Sequence, residues 1–395
     1  MSRSDKPPLS SLISTHDFEA AASHTLTSKA WAFISSAATD LHTLRRNSSA
    51  FSDITLRPRT LRNVSHIDTT TSMLGHKLRV PIFCSPAALA KLVHPAGETA
   101  IGTACKEAGI AQCVSTSSSY PLGHIVAAID GHAVETPHEV PVFFQLYVDK
   151  NRENTRKLVR AAQQAGAKAL FLTIDLPVPG KREADERVVG DAAISSPLSG
   201  ATAGNDAKGG SLGRTMGRFI DDSLSWADIP WIRRCAPGMP LVLKGVQTSE
   251  DAELAIEAGV DAIVVSNHGG RTLDTVPASI LILLELRRNC PEVFDKMEVY
   301  VDSGFRRGTD IFKALCLGAK AVGIGRGPLY AVNYGHEGVL KYIEILRDEL
   351  EATMKLCGVT SLDQLHPGYL STLAVDHLIP SRPGKSPPGR VGSHL

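Results

Sequence analysis

Clusters of basic residues are missing from this sequence. Its 42 lysines and arginines are matched by 41 acidic side chains and are spread along the chain. A formal net charge of +1 leaves no basic face for a phosphate backbone, so nucleic acid is excluded as a partner. Long apolar runs are missing as well. The run from Ile280 to Leu284 falls far short of the ~20 residues needed to cross a bilayer, and the first thirty residues hold no signal-type apolar stretch. No membrane span is expected. The 7 cysteines show neither C-x-x-C spacing nor a Cys/His pattern of metal type, so no metal is expected. Cys84, Cys113 and Cys316 sit inside apolar segments, as buried reduced thiols do, which points to a reducing compartment.

What the chain does have is a 43% hydrophobic content, enough for a large core without disulfide or metal staples. One pattern recurs through it: an amphipathic helix, a glycine stop, then a short β-branched strand. It reads "KEAGIAQCVS", "QQAGAKALFLTID", "IEAGVDAIVVSN" and "CLGAKAVGIGR". Gly109, Gly166, Gly259 and Gly318 each suit the left-handed position that ends a helix. The strands that follow are continuous apolar runs, as parallel strands covered on both faces must be. They are predicted to begin near Val80, Ile110, Val142, Ala169, Leu241, Ala262, Glu298 and Ala321. The fold class this implies is α/β, a TIM (β/α)8 barrel with an N-terminal helical cap and a C-terminal helix. Residues 1–79 are assigned to the helical and extended cap and 80–378 to the barrel, with a long amphipathic helix near 336–357. Residues 189–217, rich in Gly, Ala and Ser, are expected to bury no core and to form a flexible lid loop after the fourth strand. Residues 379–395, rich in Pro and Gly, are expected to be a disordered tail.

The informative feature is what ends each strand. Ser85 follows the first, Ser115 and Thr116 the second, Gln145 and Tyr147 the third, Thr173 and Asp175 the fourth. Lys244 ends the fifth; Ser266, Asn267 and His268 follow the sixth; Asp302, Ser303 and Gly304 the seventh; Gly325 and Arg326 the eighth. A barrel gathers these ends at one mouth, where catalytic sites are built. Any single one could be a turn residue, but polar groups ending all eight apolar strands are costly unless they meet one another or a ligand. "VDSGFRRGTD" and "GIGRGP" place Gly304, Arg306, Gly325 and Arg326 after the last two strands, where glycine backbone and guanidinium groups suit a cofactor phosphate. In "VVSNHGGRTLD", His268 is a candidate base and Arg271 a candidate carboxylate clamp, with Asp175 as a facing orienter. Lys244 reads as a buried cation, either in a structural salt bridge or against an anionic cofactor.

These motifs together resemble the FMN-dependent 2-hydroxy-acid-oxidising family, which includes glycolate oxidase, lactate oxidase and the flavin domain of the yeast flavocytochrome L-lactate dehydrogenase. The resemblance runs from about Ser14 to Gly358, and "SNHGGR", "FFQLYV", "DSGFRRGTD" and "KALCLGA" carry it. "SHTLTSKAWAF" and "KYIEILRDELEATMKLCGVTSLDQL" extend the likeness to the flavocytochrome beyond the site, without its haem domain. The resemblance implies FMN as cofactor and oxidation of an L-2-hydroxy acid to a 2-oxo acid. The acceptor would be oxygen, giving hydrogen peroxide, or a quinone or cytochrome. It implies a proton taken up by His268, an imidazolium steadied by Asp175, and a substrate carboxylate held by Arg271 and Arg182 with Tyr147 near the hydroxyl. Lys244 would face the flavin; Ser85, Ala87, Ser115, Gln145, Thr173, Ser266 and Asp302 would surround it; Gly304, Arg306, Gly325 and Arg326 would grip its phosphate. A homo-oligomer is implied too.

Departures from the family pattern bear on substrate. Phe33 stands where the family has a tyrosine, and Ala37 where it has glycine. Ser117 replaces a bulky residue over the substrate side chain, predicting a roomier, more polar pocket; Ser303 replaces a glycine of the phosphate loop. Phe33 and Ala37 also fit a non-catalytic binding relative, which the retained His268, Asp175, Lys244 and arginines argue against. The final Ser393-His394-Leu395 resembles a peroxisomal address.

Overall fold

The computed structural model describes residues 6–134, 139–190 and 193–381. Eight parallel strands close into a barrel: β1 (Ile82–Cys84), β2 (Ala111–Val114), β3 (Val142–Leu146), β4 (Leu170–Thr173), β5 (Leu241–Val246), β6 (Ala262–Val265), β7 (Glu298–Asp302) and β8 (Ala321–Ile324). Each lies within two residues of its predicted start. Every residue of these strands is buried except Glu298, because helices cover the outer face and side chains fill the inside. Gly109, Gly166, Gly259 and Gly318 all take positive φ, at 70°, 92°, 63° and 107°, and turn the chain from helix into strand.

Aromatic rings fill the barrel interior. Phe143 stacks on Phe171 with centroids 5.1 Å apart, and Phe83 meets Tyr300 edge-on at 5.9 Å. An antiparallel hairpin, Thr71–Met73 with His76–Leu78, packs its buried Met73 and Leu78 against the same cluster. Leu74 N at the hairpin's turn donates to Glu298 Oε2 at 3.0 Å, where β7 begins, so the hairpin plugs the amino-terminal end. The opposite, carboxyl-terminal end is left for the site.

Three helices precede the hairpin: α1 (Thr15–Thr25), α2 (Ser28–Ser35) and α3 (His42–Ser49). Ser14 and Asp17 form a capping box that starts α1. Asp274 fastens the α2–α3 link to the barrel, its carboxylate accepting from the backbone N–H groups of Asp40, His42 and Thr43 at 2.7–3.2 Å and from the Thr39 hydroxyl. Burial opposes ionisation of Asp274, but these donors outweigh it and hold the carboxyl far below its usual range. The long helix covers Gly335–Cys357 and packs outside the barrel.

One expectation needs correction. The described part of 189–217 carries a small hairpin, Ile194–Ser195 with Thr202–Ala203, and a short helix, Leu212–Met216. Ala203, Leu212 and Met216 are buried, so the segment does join the core. Its small polar residues hydrogen-bond where apolar ones would pack: Ser196 Oγ donates to the carbonyls of Thr116 and Ser118 at 3.2 and 3.1 Å. Lys29 of α2 reaches the Gly210 carbonyl and Asp185, tying the segment to the N-terminal helices. Of the proposed tail, residues 382–395 lie outside the described residues, and so does Ser393-His394-Leu395.

Candidate active site

The strand ends surround a cavity of ≈ 1510 Å³, open space at its mouth included. That is ample for a cofactor and a small substrate together. Of the residues singled out from sequence, Ser85, Ala87, Ser115, Ser117, Gln145, Tyr147, Thr173, Lys244, His268, Asp302, Gly304, Gly325 and Arg326 line it, all from strand ends. Arg182, Arg271, Arg306 and Phe33 line it from loops and α2. Asp175 and Ser266 lie behind this wall. Ser266, read from sequence as a cavity residue, is fully buried, accepting from Lys244 Nζ and His268 N at 3.1 Å each. It fixes two site residues without facing the space itself.

His268 sits on a strained turn. His268, Gly269 and Gly270 all have positive φ, at 57°, 67° and 73°, and the histidine is the costly member, at about 1–3 kcal/mol. Asn267 underpins the turn through paired amide bonds with Asn47 of α3, at 2.8 and 2.9 Å. His268 Nδ1 lies 2.8 Å from Asp175 Oδ1, while Nε2 faces Tyr147 Oη at 3.5 Å. Asp175 is buried, and Oδ2 has no hydrogen-bond partner among the described residues. Its carboxyl pKa is nonetheless lowered: burial opposes ionisation, but His268 and Lys244 outweigh burial. For His268 burial wins over Asp175, and its pKa is lowered from 6.5. An imidazole held by a carboxylate at Nδ1, with its burial favouring the neutral form and Nε2 facing the Tyr147 hydroxyl, is therefore placed to accept a proton.

Positive charge is concentrated around it. Lys244 Nζ lies 3.4 Å from Asp302 Oδ2, and although burial disfavours its charge, Asp302 and Asp175 raise its pKa to about 12. Burial pushes Tyr147 up to about 12 as well, keeping its phenol protonated. Arg271 donates to the carbonyls of Phe33, Ile34 and Ser36 at 3.0, 3.1 and 2.7 Å, which pins the end of α2 over the mouth. Those bonds use only some of its five N–H donors. Its pKa is driven well down by burial, then by Arg182 and Arg326. The pKa of buried Arg182 is likewise lowered by desolvation. Neither guanidinium forms a direct ion pair among the described residues, and Asp185 is the acid that favours the charge of both. The Phe33 ring lies 5.5 Å from the Arg271 guanidinium and offers its face rather than a hydroxyl.

The last two loops form the basic corner. Gly304 has φ +90°, and a Cβ there would fall 2.2 Å from the Asn47 carbonyl oxygen, so only glycine fits. A Cβ at Gly325 would meet open space. Arg326 donates to the Gly269 carbonyl at 2.7 Å, and Arg306 pairs with Glu19 of α1 at 2.7 Å. Ser303 takes a positive φ (+82°). Its hydroxyl donates to Asp302 at 2.9 Å and accepts from Gly269 N at 2.9 Å, joining the seventh loop to the His268 turn.

Three contributors were not identified from sequence. Glu19 carries no local signal, since only the packing of α1 brings it to the cavity. Gly245, in the middle of "LVLKGV", did carry one, as glycine inside a strand marks a bulge or a close approach. The β5–β6 register shifts there, and a Cβ on Gly245 would sit 2.6 Å from Asp175. Asp274 closes the same "VVSNHGGRTLD" stretch that contains His268.

The sequence profile of the FMN-dependent dehydrogenases matches residues 22–372. The L-lactate dehydrogenase (cytochrome) of Wickerhamomyces anomalus is 42% identical over 374 residues, which are 94% of this chain and 63% of that protein, so the chain spans under two thirds of that relative. The peroxisomal (S)-2-hydroxy-acid oxidase of Oryza sativa subsp. japonica is 40% identical over 364 residues, 91% of this chain and 96% of that one. Among solved structures, the flavin-binding domain of baker's yeast flavocytochrome b2 superposes with a TM-score of 0.82 at 40% identity, covering 95% of this chain and 91% of that one. With the barrel, the basic corner and the His268–Asp175 pair, these similarities show that the chain belongs to the FMN-dependent dehydrogenase family.

Proposed function

We propose that this chain oxidises an L-2-hydroxy acid to the corresponding 2-oxo acid with FMN held in the cavity. The observation that carries this reading is the His268 imidazole held 2.8 Å from buried Asp175, set beside two buried guanidinium groups without an ion-pair partner among the described residues. The residues fit the cofactor. Arg306, Arg326, Gly304 and Gly325 form a basic, glycine-lined corner for its phosphate. Ser85, Ala87, Ser115, Gln145, Thr173 and Asp302 offer polar and small contacts to its ring and chain, and Lys244 supplies a buried positive charge. Bound FMN would supply the acceptor for the two electrons and for the proton that His268 does not take.

Oxidising the carbinol carbon to a carbonyl removes two electrons and two protons. Arg271 and Arg182 bind the substrate carboxylate, which orients the carbinol and relieves their desolvation. Tyr147, protonated, donates to the substrate oxygen. His268 takes one of the two protons at Nε2, and Asp175 stabilises the imidazolium that results. Phe33 and Ser117 leave a space lacking one hydroxyl donor and one bulky side chain, which favours side chains larger than that of lactate. The segment 189–217, which brings Gly213, Met216 and Gly217 to the cavity, is the lid in this reading.

Oxygen is the proposed final acceptor, giving hydrogen peroxide in a peroxisome; the rice relative described as a peroxisomal oxidase supports it. The relative from Wickerhamomyces anomalus favours a second reading, with a cytochrome as acceptor. Incubation with 2-hydroxy acids of graded side-chain size under air tests the proposal. A 2-oxo acid and stoichiometric peroxide are expected; 2-oxo acid formed only when cytochrome is added selects the second reading, and no 2-oxo acid in either case rejects both. A fluorescent protein carrying the last twelve or so residues should collect in peroxisomes, and diffuse signal would remove that assignment.

A further inference from the structure

Far from the cavity chemistry, three side chains from three helices converge on the barrel's outer flank. Glu107 lies in the last turn of α4 (Gly97–Ala108), His132 caps the end of α5 (Leu122–Gly131), and His336 opens the helix Gly335–Cys357. Glu107 Oε2 lies 3.3 Å from His132 Nε2 and 2.9 Å from His336 Nε2. All three ligand atoms fall within 4.8 Å of one another. Two ligands bound at 2.0–2.1 Å on a tetrahedral ion sit roughly 3.4 Å apart, so the cluster is already close to the dimensions of a site.

A neighbouring contact sets the chemistry. The Thr103 hydroxyl donates to the Ala100 carbonyl at 3.2 Å and lies 2.8 Å from His336 Nδ1. When the Thr103 hydroxyl donates to Ala100, its Oγ1 is placed to accept from His336 Nδ1–H, the tautomer that presents Nε2 as a ligand. Nε2 of both histidines faces the same carboxylate oxygen, so a divalent ion could replace the proton now shared there and draw all three groups onto itself. An orienting bond at the far ring nitrogen is what metal-binding histidines use. Two imidazoles and one carboxylate suit zinc or another divalent ion of intermediate softness. Sequence spacing gives no hint, because Glu107 lies 25 positions from His132 and 229 from His336.

We propose that Glu107, His132 and His336 form a divalent metal site, with water completing the coordination, that clamps α4, α5 and the Gly335–Cys357 helix together. None of the three residues lines the cavity, so the site acts on stability and not on the chemistry. The test uses the purified flavoprotein stripped with EDTA and titrated with zinc chloride alone. One zinc ion per chain should bind, the Tm should rise, and EDTA should reverse the rise. His132→Ala, His336→Ala and Glu107→Gln should each remove the Tm response. Thr103→Val should weaken zinc binding roughly 10-fold or more, as loss of an orienting partner does elsewhere. Flavin reduction rates should stay unchanged in all four. A wild-type protein that takes up no zinc overturns the proposal, and so do His132→Ala and His336→Ala proteins that bind zinc as the wild type does.

Discussion

Asp175→Asn is the perturbation that most sharply examines the base assigned here. Asparagine keeps the size of the side chain and can still accept a hydrogen bond from His268 Nδ1, now at 2.8 Å. What it loses is the charge facing the imidazolium. A hydrogen bond to a charged partner contributes about 1.5–3 kcal/mol, and each ~1.4 kcal/mol is tenfold in rate. Flavin reduction should therefore slow roughly 10- to 150-fold, while FMN content and substrate affinity, set by other residues, stay near wild type. The pH profile adds a second signature. His268 has its pKa lowered from 6.5, so it is neutral and competent above that value, and activity should fall as pH drops through the lowered pKa. Burial, Lys244 and Arg182 push this pKa down and Asp175 pushes it up, so removing the carboxylate should move the acid limb to still lower pH. Anaerobic stopped-flow absorbance of the flavin, taken between pH 5 and 8, measures both. An unchanged rate constant with an unmoved acid limb would refute the assignment.

Other substitutions examine the remaining parts. His268→Gln should abolish flavin reduction by substrate while the protein still purifies yellow. Lys244→Met removes the cation that Asp302 and Asp175 hold at about 12, so FMN should dissociate more readily and reduction should slow; a dialysis assay of FMN retention checks the first effect. Phe33→Tyr restores a hydroxyl beside Arg271 and should lower KM for small 2-hydroxy acids roughly tenfold, the lower end of a charged hydrogen bond; an unchanged KM would show that the ring does not reach the carboxylate. Gly245→Ala places a Cβ 2.6 Å from Asp175 at φ +112°, a strain of about 1–3 kcal/mol. A lower Tm and slower reduction should appear together.

Much of the barrel was legible because its signals are local. A glycine that must take positive φ, as Gly259 does, ends a helix wherever it falls, and the buried strand after it shows as an unbroken apolar run. The mouth was legible for the same reason, since barrel closure converts eight separate strand ends into one wall. What stayed hidden depends on packing between distant segments. Glu19 meets Arg306 only because α1 packs beside the loop after β7, and Ser266 uses its hydroxyl to hold Lys244 and His268. The stretch 189–217 misled because its Gly, Ala and Ser content resembles a floppy linker, whereas Ser196 and Gly210 are tied down by hydrogen bonds that composition does not reveal.

The proposed activity requires a bound flavin that is reduced by a hydroxy acid clamped beside His268. Anaerobic mixing of the purified protein with the L and D forms of several 2-hydroxy acids, followed by flavin absorbance, tests this most directly. Rapid bleaching of one flavin per chain by an L acid, and not by its D form, is the predicted result. A chain that will not take up FMN, or a bound flavin that no L acid bleaches, would contradict it.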